Sequence, residues 1–286
     1  MQRFIPHLLF LVVLLIAFLV YSPGLHGPFM FDDGINIVSN QHLRIHDFSL
    51  ASLQEAAFSI PNGVFHRPLS MLSFATNYYL DAERITPFPV AFPFKLTNLI
   101  IHLLNGIALF VLTRLIIGFY RQRHQPDLPS TYPEWLALGV SAAWLLHPLN
   151  LTSVLYVVQR MTSLSALFVL VGLIVFVWGR MRLFTEQRCG MAAILASLLV
   201  FTPLAFLSKE NGALLPFFML LIELTLFRFE TARPATRRWL IAVFAVSTAV
   251  PVMLFIAYLI QHPDWVLSGY LNRDFSLPER LMTEAR

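Results

Sequence analysis

Long apolar runs, separated by shorter polar segments, set the pattern of this chain. The first run, Phe4 to Tyr21, holds 18 residues, close to the about 20 that an α-helix needs to cross a bilayer. The PGLHG nearby lacks the small-x-small pattern of a signal-peptide cleavage site, which favours a retained span. Six further runs are long enough to cross, or nearly so: Leu96–Ile117, Trp135–Leu146, Met161–Trp178, Met191–Leu207, Gly212–Phe227 and Trp239–Ile260.

The pattern predicts an all-α fold, a polytopic membrane helix bundle with about seven spans. Composition agrees, because only 13% of the 286 residues are charged, against about 25% in soluble domains. The net charge of +4 does not indicate a nucleic-acid partner, since the arginines fall where membrane topology would put them. The lone Cys189 excludes a disulfide framework within the chain.

The distribution of basic residues predicts the orientation of the spans. With a cytoplasmic N-terminus, the cytoplasmic loops hold nine arginines, whereas the short outer loops hold only Arg160 and Lys209. This bias puts the Asp32–Asp33 segment and the C-terminal tail on the outer side. Glu223 is interpreted as the partner that neutralises Arg228 near the cytoplasmic face. The nine arginines are Arg121, Arg123, Arg180, Arg182, Arg188, Arg228, Arg233, Arg237 and Arg238.

We expect one membrane domain over residues 1–286, with a single long loop. That loop, residues 22–93, is expected to be extracytoplasmic, and its segments LASLQEAAFSI and RPLSMLSFATNYYL are typical of amphipathic helices near the interface. The tail, residues 261–286, is also expected outside. It ends in SLPERLMTEAR, a pattern typical of a helix begun and cut off, as in a chain truncated before further spans.

Two adjacent carboxylates, Asp32 and Asp33, follow the first span. Neighbouring residues do not share a helix face, so only one of them is expected to face a given site. Such an acid can serve as a general base, or as a metal ligand where other oxygens converge on it. The structural alternative is that one of the two caps a helix starting at Gly34. The residues alone leave both interpretations open.

The candidate phosphate ligands are cationic. Arg160 and Lys209 lie at the outer ends of their spans, where a lipid phosphate would lie, and an arginine can grip phosphate in a bidentate fork. Snorkelling of these side chains to the interface is the structural alternative. Glu210 could line the site as a base or serve as the counter-ion of Lys209, and the counter-ion is favoured. His66 and Arg67, in the long loop, are further candidates for contact with an anionic headgroup.

A polar stripe follows the second span. Lys95, Asn98, His102 and Asn105 recur at steps of three, four and three, which puts them on one helix face. Polar side chains at membrane depth face the bundle or a wet cavity. The stripe therefore either lines a site or forms interhelical hydrogen bonds.

Five motifs occur in order along the chain: FDD, RPL, FKLTNLIIHLLNG, HP followed by VVQRMTSLSALF, and LSKENGALLP. With these motifs the chain resembles the bacterial relatives of the transmembrane and tetratricopeptide-repeat O-mannosyltransferases. That family lies within the GT-C class of polyprenyl-phosphate-sugar glycosyltransferases. The resemblance runs through nearly all of Phe4–Arg286 and implies a GT-C-like fold. The family usually continues with more spans and tetratricopeptide repeats, which this sequence lacks.

The resemblance also implies an activity and the residues that carry it. Asp32 or Asp33 would be catalytic, with Asp32 favoured by its place after Phe31, and Arg160 and Lys209 would bind the donor phosphate. The implied reaction is an inverting transfer of mannose or another hexose from a polyprenyl-phosphate carrier to an acceptor hydroxyl, on an exported protein or a glycan. Whether a divalent metal takes part stays open, and no other cofactor is predicted.

The expected location is a bacterial inner membrane, or the endoplasmic reticulum membrane in a eukaryote, with the site on the periplasmic or lumenal side. Two other classes of protein stay open. A transporter or flippase of a lipid-linked or anionic substrate would use the same cations without a base, although no inverted repeat is visible. A non-catalytic membrane scaffold would use both acids as caps.

Overall fold

The computed structural model describes residues 4–60, 66–80, 90–262 and 275–284. These residues form helices and no strand, which confirms the all-α membrane helix bundle. The chain divides into two compact units, Met1–Thr231 and Ala232–Arg286, which are described separately. The prediction of one membrane domain over the whole chain stays a prediction.

Thirteen α-helices are present in the described residues, and short 3-10 or π-helical turns extend or join several of them. The α-helices are α1 Ile5–Tyr21, α2 Leu50–Ala57, α3 Pro68–Leu80, α4 Phe92–His124, α5 Tyr132–Leu145, α6 Leu151–Leu155, α7 Arg160–Arg182, α8 Gln187–Ala196, α9 Thr202–Ser208, α10 Leu215–Ile222, α11 Pro234–Phe244, α12 Val250–Gln261 and α13 Leu277–Glu284.

The described residues include six helical segments long and apolar enough to cross a membrane. A seventh candidate is the pair Tyr132–Leu145 and Pro148–Leu155, which together form a segment bent by 54°. The chain is an integral multi-pass membrane protein, as the apolar pattern predicts. The six segments are Ile5–His26, Phe92–His124, Val157–Arg182, Gln187–Ser208, Glu210–Phe227 and Pro234–Gln261.

The contacts of the bent pair along α4 indicate one complete crossing. Glu134, at the start of α5, accepts a hydrogen bond from Arg114 Nε at 3.1 Å. Just beyond α6, the Val157 carbonyl accepts from Asn98 Nδ2 at 3.2 Å. These partners on α4 are 16 residues apart in the sequence, about 24 Å along the helix axis at 1.5 Å per residue. That distance covers most of the about 30 Å hydrocarbon core, so the bend does not turn the chain back.

The two ends of α4 are called here the Phe92 end and the His124 end. Contacts along α4 and its neighbours show that the spans of the first unit alternate between these ends. The described part of the first loop, the connection 156–159 and residue Lys209 therefore share the Phe92 end. The connections 125–131, 183–186 and 228–231 share the opposite end.

The first loop has a core of its own at the Phe92 end. Its helices α2 and α3 confirm the two amphipathic helices that the sequence predicts. Their apolar faces pack with residues from the loop, the start of α4 and the segment before α7, so the loop is fixed to the bundle by side-chain burial. The buried members are Ile37, Leu43, Ile45, Ala56, Met71, Phe74, Ala75, Tyr78, Phe94, Val157 and Met161.

The predicted pairing of Glu223 with Arg228 is wrong. Glu223 instead accepts two hydrogen bonds from Arg180 on α7, at 2.5 and 2.9 Å, and both side chains are fully buried. Arg228 follows the turn that ends this span and has a left-handed backbone, φ 52°. Removing one partner of such a buried pair costs roughly 3–5 kcal/mol. The pair therefore fixes α7 to the Glu210–Phe227 span.

Candidate functional site

Asp33 is a buried connector between the first loop and the segment before α7. It is 0% exposed. Its Oδ2 accepts from the backbone N–H of Met30 at 3.0 Å and of Val157 at 3.3 Å, and its Oδ1 accepts from Val158 N–H at 2.7 Å. Asp33 precedes the π-helical turn Gly34–Val38 without a side-chain cap hydrogen bond, so the helix-cap interpretation is wrong for this residue.

The surroundings of Asp33 combine burial with several groups that favour its charge. Burial raises the pKa of Asp33, while the three amide donors and the positive charge of Lys95 act in the opposite direction. Lys95 is itself buried in the first turn of α4 and donates from Nζ to the Pro28 carbonyl at 2.9 Å. Both oxygens of Asp33 thus accept hydrogen bonds from the protein. A catalytic role for Asp33 stays a prediction, and these contacts do not favour it.

Asp32, in contrast, is exposed and lies in a turn. Its backbone N–H donates to the Tyr156 hydroxyl at 3.1 Å. The preceding Phe31 is 81% exposed, has a left-handed backbone with φ 44°, and directs its ring at an angle to that of Tyr156. Such a backbone costs of order 1–3 kcal/mol and persists only where the surroundings fix it. The hydrogen bonds of Asp33 provide that constraint.

Arg160 is a fully buried link between α3, α4 and α7. Nε donates to Asn98 Oδ1 at 2.8 Å, Nη1 to the Ser73 carbonyl at 3.0 Å, and Nη2 to the Phe94 carbonyl at 2.8 Å. The guanidinium also lies over the Phe74 ring, 4.5 Å from its centroid. Each of its three nitrogens therefore serves a protein acceptor. Donor-phosphate binding by Arg160 stays a prediction, and these contacts do not favour it.

The polar stripe of α4 is used inside the protein. Its four residues are buried. Lys95 bonds the Pro28 carbonyl, and the other three bond carbonyls of neighbouring segments, which is the interhelical interpretation. A site-lining role for Lys95, Asn98 and His102 stays a prediction that these contacts do not favour. The bonds join Asn98 Nδ2 to Val157 O (3.2 Å), His102 Nε2 to Leu145 O (3.1 Å) and Asn105 Nδ2 to Ser163 O (2.9 Å).

Lys209, Arg67 and Glu210 form a partly exposed charged cluster at the Phe92 end. Arg67 Nε donates to Glu210 Oε1 at 2.9 Å, with side chains 31% and 29% exposed. Lys209 Nζ donates to Thr162 Oγ1 at 2.6 Å. Burial and the charge of Arg67 lower the pKa of Lys209, and Glu210 acts in the opposite direction. The direct ion pair of Glu210 is with Arg67, which corrects its assignment as the counter-ion of Lys209.

His66 has no contact with this cluster among the hydrogen bonds and ion pairs of the described residues. His66 is exposed and contacts the ring of Phe58, with centroids 5.7 Å apart. Within residues 4–60, 66–80, 90–262 and 275–284, no group of three or more His, Cys, Asp or Glu side chains is arranged to hold a metal ion. The participation of a divalent metal stays open.

The segment 156–162 links the acids to the cations. Tyr156 bonds the backbone of Asp32, and Thr162 bonds Lys209. Asp33 is bound at Val158, four residues before Thr162, a separation of about 6 Å for helical residues. An exposed acid and a partly exposed cation are thus attached to the same short segment.

Tyr156 and Thr162 are the residues that the sequence does not single out. Both lie in or beside the VVQRMTS motif, in which only Arg160 carries an obvious charge. A hydroxyl beside an apolar run has no distinctive spacing, and its role becomes visible only when its partner is known. The partners here are 124 and 47 residues away in the sequence.

Comparison with known proteins agrees with the motifs. The chain is similar to protein O-mannosyl-transferase TMTC4 of Mus musculus, with 26% identity over 209 residues. The matched region is 71% of this chain and 27% of that protein, so the chain spans about a quarter of the length of this relative. No protein-family profile and no solved structure matches the chain. The similarity confirms the resemblance to the transmembrane and tetratricopeptide-repeat O-mannosyltransferases.

The two acids are expected to differ in their effect on stability. Asp33→Asn replaces an acceptor oxygen by an NH2 group facing backbone donors, so at least one buried N–H loses its partner, at a cost of about 1–3 kcal/mol. Asp32→Asn changes an exposed side chain and is expected within about 0.5 kcal/mol of the parent. Thermal unfolding of both purified variants in the same detergent measures the difference. Equal unfolding temperatures would contradict the structural role of Asp33.

Proposed function

We propose that the protein is a membrane glycosyltransferase of the GT-C type. It moves a sugar, mannose or another hexose, from a polyprenyl-phosphate carrier to an acceptor hydroxyl, with inversion at the anomeric carbon. The main support is that the backbone of the exposed Asp32 and the side chain of Lys209 bond the same segment, at Tyr156 and Thr162, at one end of the bundle. The similarity to an O-mannosyltransferase gives the class of reaction.

Asp32 acts as the general base in this proposal. The acceptor oxygen attacks the anomeric carbon while Asp32 takes the hydroxyl proton, and the bond from that carbon to the carrier phosphate breaks with its electron pair. The products are the glycosylated acceptor and the polyprenyl phosphate. A positioned base contributes typically 10²–10⁴-fold to the rate. Asp33 does not serve this role, because both of its oxygens already accept backbone hydrogen bonds.

Lys209 and Arg67 bind the departing phosphate. Both are partly exposed, whereas Arg160 is fully buried, so the accessible cations carry the interaction and Arg160 is a positioning residue. The negative charge on the phosphate grows as the glycosidic bond breaks, and preorganised cations stabilise that change without reorganising. Glu210 holds Arg67 in place through their ion pair.

The location of the cluster suits a lipid-linked donor. The tail of a polyprenyl phosphate lies in the bilayer and its phosphate lies at the surface, so the reacting carbon is found just outside the hydrocarbon core. Asp32 follows a span and Lys209 joins two spans at the same end. The His124 end carries Arg121, Arg123 and Arg182, and the positive-inside bias makes it cytoplasmic. The proposed site then faces the periplasm or lumen.

Substitution of the acids tests the proposal. Asp32→Asn is expected to reduce sugar transfer from a polyprenyl-phosphate hexose by about 10²–10⁴-fold at unchanged unfolding temperature, since it removes a general base from a surface position. Glu55→Gln is the matched control, because it also removes an exposed carboxylate from the first loop. Its transfer rate is expected to equal that of the parent.

The same assay separates the competing functions. Release of sugar from the carrier by the purified parent protein supports the transferase. Movement of the intact carrier across vesicle membranes without cleavage would indicate a flippase instead. If neither sugar release nor carrier movement is seen, the protein would be assigned as a non-catalytic scaffold. Undiminished transfer in Asp32→Asn would refute the assignment of Asp32 as the general base.

The pH profile tests the phosphate-binding role of Lys209. Protonated Lys209 binds the phosphate, so transfer is expected to fall as pH rises through a pKa that burial and Arg67 hold below the ordinary lysine value. Arg67→Gln removes a positive charge and leaves Glu210 without its ion pair; both changes raise the pKa of Lys209. The alkaline limb of the transfer rate should therefore move to higher pH, although the maximum rate falls.

Arg188→Gln, an exposed arginine at the other end of the bundle, is the control for a general change of charge. The alkaline limb of the transfer rate of Arg188→Gln should lie at the same pH as that of the parent. An alkaline limb that stays in place in Arg67→Gln would exclude electrostatic coupling between Arg67 and Lys209.

A further inference from the structure

A cavity lies at the His124 end, on the opposite side of the bundle from the proposed transfer site. It is open on one side, has a volume of about 180 Å³ and is lined by α4, the end of the connection 125–131, the start of α5 and the end of α7. This volume is below the about 300–1,000 Å³ of pockets that hold drug-sized ligands, so the cavity suits a smaller polar group. The lining residues used below are Arg114, Gly118, Arg121, Gln122 and Glu134.

The polar groups of the cavity have two different chemistries. Arg114 and Arg121 supply positive charge, and Gln122 supplies amide donors. Glu134 contributes a carboxylate whose Oε1 accepts from Arg114 Nε at 3.1 Å. Its Oε2 is buried and has no hydrogen-bond partner among the described residues. Glu134 lines the cavity together with the arginines, so an anionic ligand held by the arginines would also lie beside a carboxylate.

The position of the cavity indicates the source of that ligand. Arg114 falls near the end of the apolar part of α4, and Arg121 lies two turns beyond it. Three aromatic residues in the same part of α4 and α5 are 40–45% exposed: Tyr120, Tyr132 and Trp135. Exposed tyrosine and tryptophan at the end of a span mark the level of lipid headgroups. A ligand at this depth is presented by the membrane itself.

We propose that this cavity binds the headgroup of a phospholipid that has a phosphate and, beyond it, a hydrogen-bond donor, such as the ammonium group of phosphatidylethanolamine. The arginines and Gln122 bind the phosphate oxygens, as arginine forks commonly do. The ammonium group donates to Glu134 Oε2, which provides that buried acceptor with its missing partner. Phosphatidylcholine carries the same phosphate, but its quaternary ammonium has no N–H to donate. The cavity therefore distinguishes these two zwitterionic lipids.

Native mass spectrometry of the purified chain tests this selectivity. With dioleoyl phosphatidylethanolamine and dioleoyl phosphatidylcholine supplied in equal amounts, retention of the first is expected to exceed that of the second by about tenfold, the effect of one charge-assisted hydrogen bond. Glu134→Leu removes the acceptor and should abolish this preference, while Arg121→Gln should weaken retention of both lipids. Equal retention of the two lipids by the parent protein would overturn the proposal.

A pair of glycine variants separates occupation of the cavity from a defect in folding. A Cβ added at Gly118, in the cavity wall, or at Gly139, in α5 and outside the cavity lining, meets no atom within 4 Å. Leucine is also a better helix former than glycine, so neither variant is expected to lose stability. Gly118→Leu should lose the bound phosphatidylethanolamine, whereas Gly139→Leu should keep it. Retention of the lipid by Gly118→Leu would place it elsewhere and refute the site.

Soluble compounds test whether the source is the membrane. Phosphatidylethanolamine is expected to raise the unfolding temperature of the parent but not of Gly118→Leu. Inorganic phosphate and glycerophosphoethanolamine, at the same concentration, should have little effect, because they lack the acyl chains that keep the headgroup at this depth. An equal increase with either soluble compound would reassign the cavity to a free phosphate and overturn the lipid assignment. These results do not depend on whether sugar transfer is observed.

Discussion

Three backbone N–H groups share the buried carboxylate of Asp33, and this contact joins parts of the chain that are more than 120 residues apart. In water such a contact contributes little to the free energy of folding, because water would form hydrogen bonds with the separated amides and acid instead. Asp33 and Val157 are buried beneath the first loop, so separating them would leave a buried carboxylate and a buried N–H without this hydrogen bond. The loop is therefore held to the segment before α7, and the exposed turn at Asp32 takes its position from that contact.

Residues of the same charge at this site differ in whether they are buried or accessible. Of two neighbouring acids, Asp33 is structural, and Asp32 is accessible. Of the cations at the same end, Arg160 is buried and bonds three carbonyl or amide acceptors, while Lys209 and Arg67 remain partly exposed. In our proposal, the buried members make the scaffold rigid, and the accessible members contact the lipid-linked sugar. Rigid support is what a site needs if its charges are to stabilise a transition state without reorganising.

The spans could be predicted because hydrocarbon imposes one simple requirement, a long apolar run with its backbone bonded internally. The Asp32–Asp33 pair and Lys209 were also visible in the sequence, because they are charged residues close to the ends of apolar runs. The roles of Asp33 and Arg160 were not, because burial depends on residues distant in the sequence. Glu223 shows the same limit: its nearest basic neighbour in the sequence is Arg228, but its partner is Arg180, 43 residues away. The bend between α5 and α6 is likewise recognisable as a crossing only from contacts along α4.

The central claim is that Asp33 holds Asp32 in a fixed position relative to Lys209. Pulsed electron-electron double resonance tests it most directly, with spin labels on Asp32→Cys and Lys209→Cys after Cys189→Ser. We expect a single narrow distance distribution that broadens when Asp33→Asn is added. A broad distribution with Asp33 intact, or one that Asp33→Asn leaves unchanged, would contradict the account.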